Sequence, residues 1–241
     1  MTSNFLLGIL SNVCGRYTIS SPRKIVSEIL GSDDDSAVEA RYNVAPTQDA
    51  PVIVADTNGA RLLTHMRWGL VPHWATNSDV GLAMINARAE TAAYKPSFAE
   101  SFRQRRCIVP ADGFYEWQRK SGGRQPYLLR LQGGEPFTFA GLWDVWRGPN
   151  GTLLKTFTIL TTTSNAVVEA IHGRMPVILG RQRCGEWLTT GSNVGTLTGL
   201  CAPYPAAAME TIPVSTYVNN VRHDSLECMQ PVRLRTSSSL L

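Results

Sequence analysis

Six short segments of the chain carry side chains whose types could do chemistry. Cys14 stands in Cys14-Gly15-Arg16-Tyr17. Asn86 and Arg88 stand in Ile85-Asn86-Ala87-Arg88-Ala89-Glu90-Thr91, and Glu116 in Pro110-Ala111-Asp112-Gly113-Phe114-Tyr115-Glu116-Trp117. His172 stands in Ile171-His172-Gly173-Arg174-Met175-Pro176, after a stretch ending Thr158-Ile159-Leu160-Thr161. The other two are Tyr42-Asn43-Val44-Ala45-Pro46-Thr47 and Trp68-Gly69-Leu70-Val71-Pro72-His73-Trp74. Cys14, His172 and Asn86 have the residue types of a Cys-His-Asn peptidase, in which a base activates a thiol and an amide orients the base. Each residue also has a plain structural reading. A lone Cys packs as a small apolar side chain, and a His before Gly suits a helix C-terminus. Glu116, between Tyr115 and Trp117 on an alternating strand, reads alone as an outward-facing carboxylate. Arg16 and Arg88 can pair with surface acids. Trp68 reads as core, whereas Trp74, beside Pro72 and His73 in a polar loop, offers a ring on which a base can stack. His65 and His73 have no partner pattern.

Taken in order, the six segments closely resemble the SOS response-associated peptidase (SRAP) family, the shields of abasic sites in DNA. The resemblance runs from Cys14 to about Val232, and six ordered motifs are far more specific than any one. In that family the Cys directly follows the initiator Met and becomes the N-terminus when Met is removed. The resemblance therefore implies Cys14 as nucleophile, with Asn86, Glu116 and His172 as its companions. It places Arg16, Pro46, Trp74, Arg88 and Thr161 along a DNA-binding surface. It further implies a single α+β domain with a concave, basic groove for a single strand.

The residue types suit that chemistry. An abasic site equilibrates with a ring-opened aldehyde. A chain-terminal amine has a pKa of about 7.7–8.0, so roughly a tenth of it is neutral at pH 7, far more than for Lys near 10.4, and it can form a Schiff base. An N-terminal Cys also places a thiol where it can close a five-membered thiazolidine on the same carbon. A carboxylate such as Glu116 suits the proton transfers between amine, carbinolamine and water. His172 suits protonation of the sugar oxygen, and Asn86 can hold the amine or a sugar hydroxyl without adding charge.

One feature departs from the pattern: thirteen residues precede Cys14. While they remain, the Cys14 amine is locked in an amide and the thiazolidine route is closed. Two routes restore it. Val13 occupies the Met position, and a GUG codon both encodes Val and can initiate as Met; this reading is favoured. The alternative is cleavage of the Val13–Cys14 bond, autocatalysis included, which the family's peptidase name evokes. The expected organisation is an N-terminal extension over 1–13, the domain over 14–232 and a frayed Ser-rich tail over 233–241.

The elements that must position these residues are mostly strands. Val52–Ala55, the turn Thr57-Asn58-Gly59 and Leu62-Leu63 predict a hairpin. Further strands are expected over Cys107–Val109, Gly113–Gln118, Tyr127–Leu131, Phe137–Leu142, Thr156–Thr161 and Pro176–Leu179. Short helices are expected after a Ser21-Pro22 cap, over 96–105 from Pro96, over Ala166–Ile171 capped by Ser164 or Asn165, and over Arg181–Leu188. This pattern predicts an α+β fold with a largely antiparallel, barrel-like core.

Composition narrows the classes further. The chain is 43% hydrophobic and 17% charged, which suits a globular protein rather than a disordered one. No apolar run nears the ~20 residues of a membrane span, and the patch Phe5–Leu10 has no preceding Lys or Arg, against a secretory signal. A cytoplasmic protein, nucleoid-associated when on DNA, is expected. The net charge is +4, with 19 Arg against 4 Lys. That bias fits phosphate recognition and equally a GC-rich genome. Five Cys without zinc-like spacing read as reduced thiols. No GxGxxG, P-loop, HExxH or GxSxG occurs. The expectation is a metal-free, cofactor-free monomer acting on single-stranded DNA that contains abasic sites, through thiol (auto)peptidase and lyase-like crosslinking chemistry. A cysteine peptidase and a non-covalent single-strand-binding module are the alternatives.

Overall fold

Sequence patterning builds two sheets that share one core, seen in a computed structural model that describes residues 14–36 and 38–234. The expected hairpin is present: β3 (Asp49–Ala55) and β4 (Arg61–Trp68) pair antiparallel in the register Ile53↔Leu63, with Gly59 supplying a left-handed turn position. β3 also pairs with β6 (Arg106–Ala111), β6 with β9 (Phe137–Arg147), and β9 with β10 (Leu153–Thr163), all antiparallel. A parallel pairing of β10 with β4, through Phe157↔Trp68, closes the ring into a five-stranded barrel. Closure removes the unpaired edges that a flat sheet would expose. β5 (Asn86–Arg88) adds to β10 in parallel, with Ile159 opposite Asn86 and Thr161 opposite Arg88.

The second sheet is antiparallel, in the order β13 (Met209–Pro213), β8 (Gly123–Leu131), β7 (Gly113–Lys120), β1 (Tyr17–Ile19), β2 (Arg41–Val44). Its inner face packs on the barrel through Tyr17, whose ring meets Trp68 edge-on at 5.3 Å and Phe139 at 5.8 Å. Such aromatic pairs add about 0.5–1.5 kcal/mol each beyond the area they bury. Its outer face is covered too, by a small cluster of Tyr115, Leu128, Val214, Val218 and Cys228.

Helices are short and peripheral. α1 (Pro22–Ile25) runs on as a π turn over Val26–Leu30 and stops at Gly31, which has φ 70°. Ser21 makes no side-chain cap; its backbone N–H donates to Asp112 Oδ2 at 2.8 Å instead. α2 spans Ala89–Ala92 and α3 spans Ala99–Gln104, so the helix expected from Pro96 begins three residues later, after turns over the intervening positions. α4 (Ala166–Glu169) is capped by Asn165, whose Oδ1 accepts from Val167 and Val168. α5 (Arg183–Leu188) and α6 (Val194–Gly199) follow. The strand expected over 176–179 is two pieces, β11 (Arg174–Pro176) on β10 and β12 (Ile178–Leu179) on β9. The break arises because the chain changes partner at Val177, which donates to Leu160 O and accepts from Ala140 N.

Two glycines permit a close approach beside the barrel. A Cβ on Gly69, where φ is 122°, would lie 2.6 Å from Gly81 O, and one on Gly81 would lie 2.6 Å from Gly69 O. Only bare backbone fits there.

The expected extension over 1–13 and residues 235–241 of the expected tail lie outside the described residues. Among the described residues, no helix is long and apolar enough to cross a membrane, and no three His, Cys, Asp or Glu side chains converge as a metal site.

Candidate active site and nucleic-acid surface

β7 alternates Phe114, Glu116 and Gln118 toward the barrel side with Tyr115 and Trp117 toward the small outer cluster. Both faces of the sheet are covered, so Glu116 has no solvent-facing option and the outward-carboxylate reading fails. Glu116 is only 3% exposed. Its Oε1 accepts the backbone N–H of Cys14 at 2.7 Å. Burial pushes the Glu116 carboxyl up to about 8, against the opposing pull of the Cys14 and Trp117 N–H groups. Cys14 is fully buried and holds a left-handed backbone with φ 48°, uncommon for a residue with a Cβ. Burial, and then the charge of Glu116, push its thiol well above the usual range. At neutral pH that thiol is protonated.

Asn86, on β5, donates Nδ2 to Ile159 O at 3.4 Å. Its Oδ1 is buried without a hydrogen-bond partner. Nearly all buried polar atoms in folded proteins are satisfied, and Asn86 Oδ1 is one of five buried side-chain atoms among the described residues that are not. His172 follows α4. Its Nδ1 accepts the backbone N–H of Arg174 at 3.2 Å, and Nε2 has no partner among the described residues. Gln118 Nε2 donates to Ala170 O at 2.8 Å, tying the strand that carries Glu116 to the segment leading into His172. No hydrogen bond among the described residues joins Cys14, Asn86 and His172 to one another, so the interaction seen directly is Cys14 with Glu116.

The residues expected on the DNA surface divide into two groups. Trp74 is 55% exposed. Arg88 is exposed and its side chain makes no hydrogen bond or ion pair among the described residues, though its charge helps hold the nearby Glu90 carboxyl down, and Pro46 is half-buried in a turn pinned by Thr47 N–H to Trp68 O at 2.9 Å. Arg16 and Thr161, in contrast, are buried. Arg16 Nη1 donates to Asn43 Oδ1 and Val218 O, each at 3.0 Å, and its guanidinium sits 5.8 Å from the Trp117 ring. It pairs with no acid among the described residues; it sits on the outer-cluster face, opposite that of Glu116. Thr161 accepts from Arg174 Nη2 on both its carbonyl (2.8 Å) and its hydroxyl (3.3 Å). Sequence reasoning did not single out Arg174, Glu90 or Gln118. Arg174 grips Glu90 through both terminal nitrogens, at 3.1 and 2.9 Å, linking β11 to α2 beside Arg88. Its only sequence signal was membership of the Ile171–Pro176 segment.

The SOS response associated peptidase (SRAP) family model matches residues 13–221. The chain is 40% identical over 223 residues to abasic site processing protein YoqW of Bacillus subtilis, covering 90% of this chain and 99% of the relative. It is 35% identical to abasic site processing protein HMCES of Gallus gallus, over 80% of this chain and 66% of that protein. A crystal structure of a Bacteroides thetaiotaomicron protein shares the fold, with a TM-score of 0.81 at 24% identity over 91% of this chain and all of that one. A six-motif order, a matching family model over most of the chain and relatives near 40% identity all agree: this chain belongs to the SOS response associated peptidase (SRAP) family.

Proposed function

We propose that this protein processes abasic sites in single-stranded DNA, bonding covalently to the exposed aldehyde through Cys14 once Cys14 is the first residue. The observation that carries the reading is the 2.7 Å contact between the buried Cys14 N and Glu116 Oε1, in a chain whose relatives are named abasic site processing proteins. A terminal amine titrates at about 7.7–8.0, and the Glu116 carboxyl is pushed to about 8. The two lie close, and with an ammonium in place of the amide N–H the carboxyl falls somewhat, so each can hand the other a proton.

The steps balance. Glu116 takes the ammonium proton, and the neutral amine adds to the aldehyde carbon to give a carbinolamine. Glu116 returns the proton to the departing hydroxyl, water leaves and an iminium remains. The Cys14 thiol, held protonated by its surroundings, adds to that carbon while Glu116 accepts its proton. The products are a thiazolidine and one water. His172 Nε2 serves to protonate the sugar ring oxygen as the ring opens, and the orphan Asn86 Oδ1 accepts a sugar hydroxyl. Trp74 and Arg88 supply stacking and phosphate contact. Arg16 and Thr161 serve the surface indirectly, by fixing the strands behind it. The peptidase side of the family name is assigned here to exposure of Cys14 alone.

The test mixes the chain that begins at Cys14 with a single-stranded oligonucleotide bearing one abasic site and reads a denaturing gel. A heat- and SDS-stable shifted band is expected, lost in Cys14→Ala with reversible binding kept. A band that survives Cys14→Ala removes Cys14 from the mechanism. Mass measurement on the native protein tests the exposed Cys14: retention of residues 1–13 defeats the amine route.

A further inference from the structure

The structure assigns His73 a role of its own: with Asp144 it is a positioning residue that holds Trp74 in the orientation needed to stack on a base of single-stranded DNA. The inference rests on the reading of Trp74 as a stacking platform. Trp74 is more than half exposed, yet the loop beneath it is held on both sides. His73 donates its backbone N–H to Asp144 Oδ2 at 3.0 Å, and its Nδ1 lies 3.1 Å from the same oxygen. On the far side, Trp146 Nε1 donates to Ala75 O at 2.7 Å. Val71 N–H donates to Thr156 Oγ1 at 2.8 Å, and Ala75 N–H to Pro72 O at 2.9 Å. Asp144 and Trp146 are alternate residues of β9, so one face of a barrel strand fixes the residues on either side of Trp74.

Asp144 is itself held. It is 3% exposed, its Oδ1 accepts Val145 N–H at 2.8 Å, and Arg105 Nε lies 3.1 Å from that oxygen. Glu100 stands 3.6 Å from His73 Nε2 and accepts from Arg105 at 2.8 Å. The carboxylate therefore has one fixed orientation, and the His73 ring locks onto it while remaining partly open to solvent. An exposed ring on a mobile loop loses conformational freedom each time a base stacks on it; a loop already held does not. The His73–Asp144 bond removes that cost in advance.

The test uses the full chain and a dye-labelled oligothymidylate with no abasic site, so that non-covalent binding is read separately from crosslinking. Four proteins form a cycle: unaltered, His73→Ala, Trp74→Ala and the double variant. Trp74→Ala weakens binding by roughly tenfold or more, the scale of one stacked base. His73→Ala weakens it by roughly three- to fivefold, with an unchanged salt slope because no phosphate contact is lost. The double variant binds no more weakly than Trp74→Ala alone. Asp144→Asn, which still accepts the His73 backbone N–H, behaves as His73→Ala does. Effects that multiply in the double variant overturn the inference, since His73 then acts on DNA without Trp74. So does unchanged binding by Trp74→Ala, an outcome that leaves the Cys14 gel experiment standing independently.

Discussion

Replacing Glu116 by Gln in the chain that begins at Cys14 preserves the shape of the site and an oxygen able to accept from Cys14 N, but removes the proton carrier. The structure sets the size of the effect. A carboxyl pushed to about 8 is only about a tenth ionised at pH 7, so it is chiefly an acid, poised to give its proton to the departing hydroxyl. An ammonium on Cys14 would draw that value down through the same oxygen, which raises the ionised share and leaves both forms of the carboxyl accessible near neutral pH. General acid–base groups contribute ~10²–10⁴ in rate, and the lower end suits a step with a small mismatch to correct. Adduct formation is therefore expected to slow about 100-fold at pH 7. The unaltered protein should gain rate with pH as its amine loses a proton, then lose rate above about pH 8 as Glu116 ionises. The Gln variant should keep the rise and lose the fall. Single-turnover gel assays from pH 5.5 to 9.5 measure both. A Gln variant within threefold of the unaltered rate, with the same high-pH decline, would refute the assignment.

The same carboxyl links folding to pH. Its folded value of about 8 lies above its ordinary 4.5, so the stability it contributes is complete below about pH 4.5 and is lost as pH rises through 8. Each pH step in that interval removes about 1.4 kcal/mol, a ceiling of roughly 4–5 kcal/mol in all. Glu116→Gln in the full chain should flatten this slope in denaturant titrations at pH 5 and pH 9, and parallel slopes would contradict the buried carboxyl. Asn86→Ala removes an acceptor with no partner among the described residues and one long donation to Ile159 O at 3.4 Å, so thermal unfolding should shift by less than about 1 kcal/mol while adduct formation slows roughly tenfold. A large loss of stability with normal adduct yield would make Asn86 structural. Arg88→Ala should weaken binding of any single strand and reduce the slope of log affinity against log salt by about 0.7, one phosphate's share. An unchanged slope places Arg88 off the DNA path.

Short-range signals read well from the sequence, and long-range ones did not. The hairpin over β3 and β4 and the Asn165 cap follow from local turn chemistry. Barrel closure does not, because the parallel pairing of β10 with β4 joins segments some ninety residues apart. The split of β11 from β12 likewise depends on which strand lies alongside, a fact absent from the local pattern. At the site, residue types and motif order pointed to Cys14 and Glu116. The meaning of Glu116 needed the second sheet face: alternation alone said one face was wet, and the cluster around Val218 and Cys228 covers it. The surroundings of Arg16 were hidden for the same reason, its long side chain being taken up by Asn43 and Val218. His73 was unreadable in sequence since its partner, Asp144, lies 71 residues away.

The glycine pair beside the barrel has a consequence for how this surface can change. Gly69 precedes the loop bearing Trp74 and Gly81 lies shortly before Asn86, and because a Cβ on either would lie 2.6 Å from the other's carbonyl oxygen, the approach of these two segments is set by bare main chain. Neither position offers a small step: the least substitution, to Ala, already wedges the two segments apart. Mutational drift is thus steered to the positions on either side, while the approach of the two segments stays fixed.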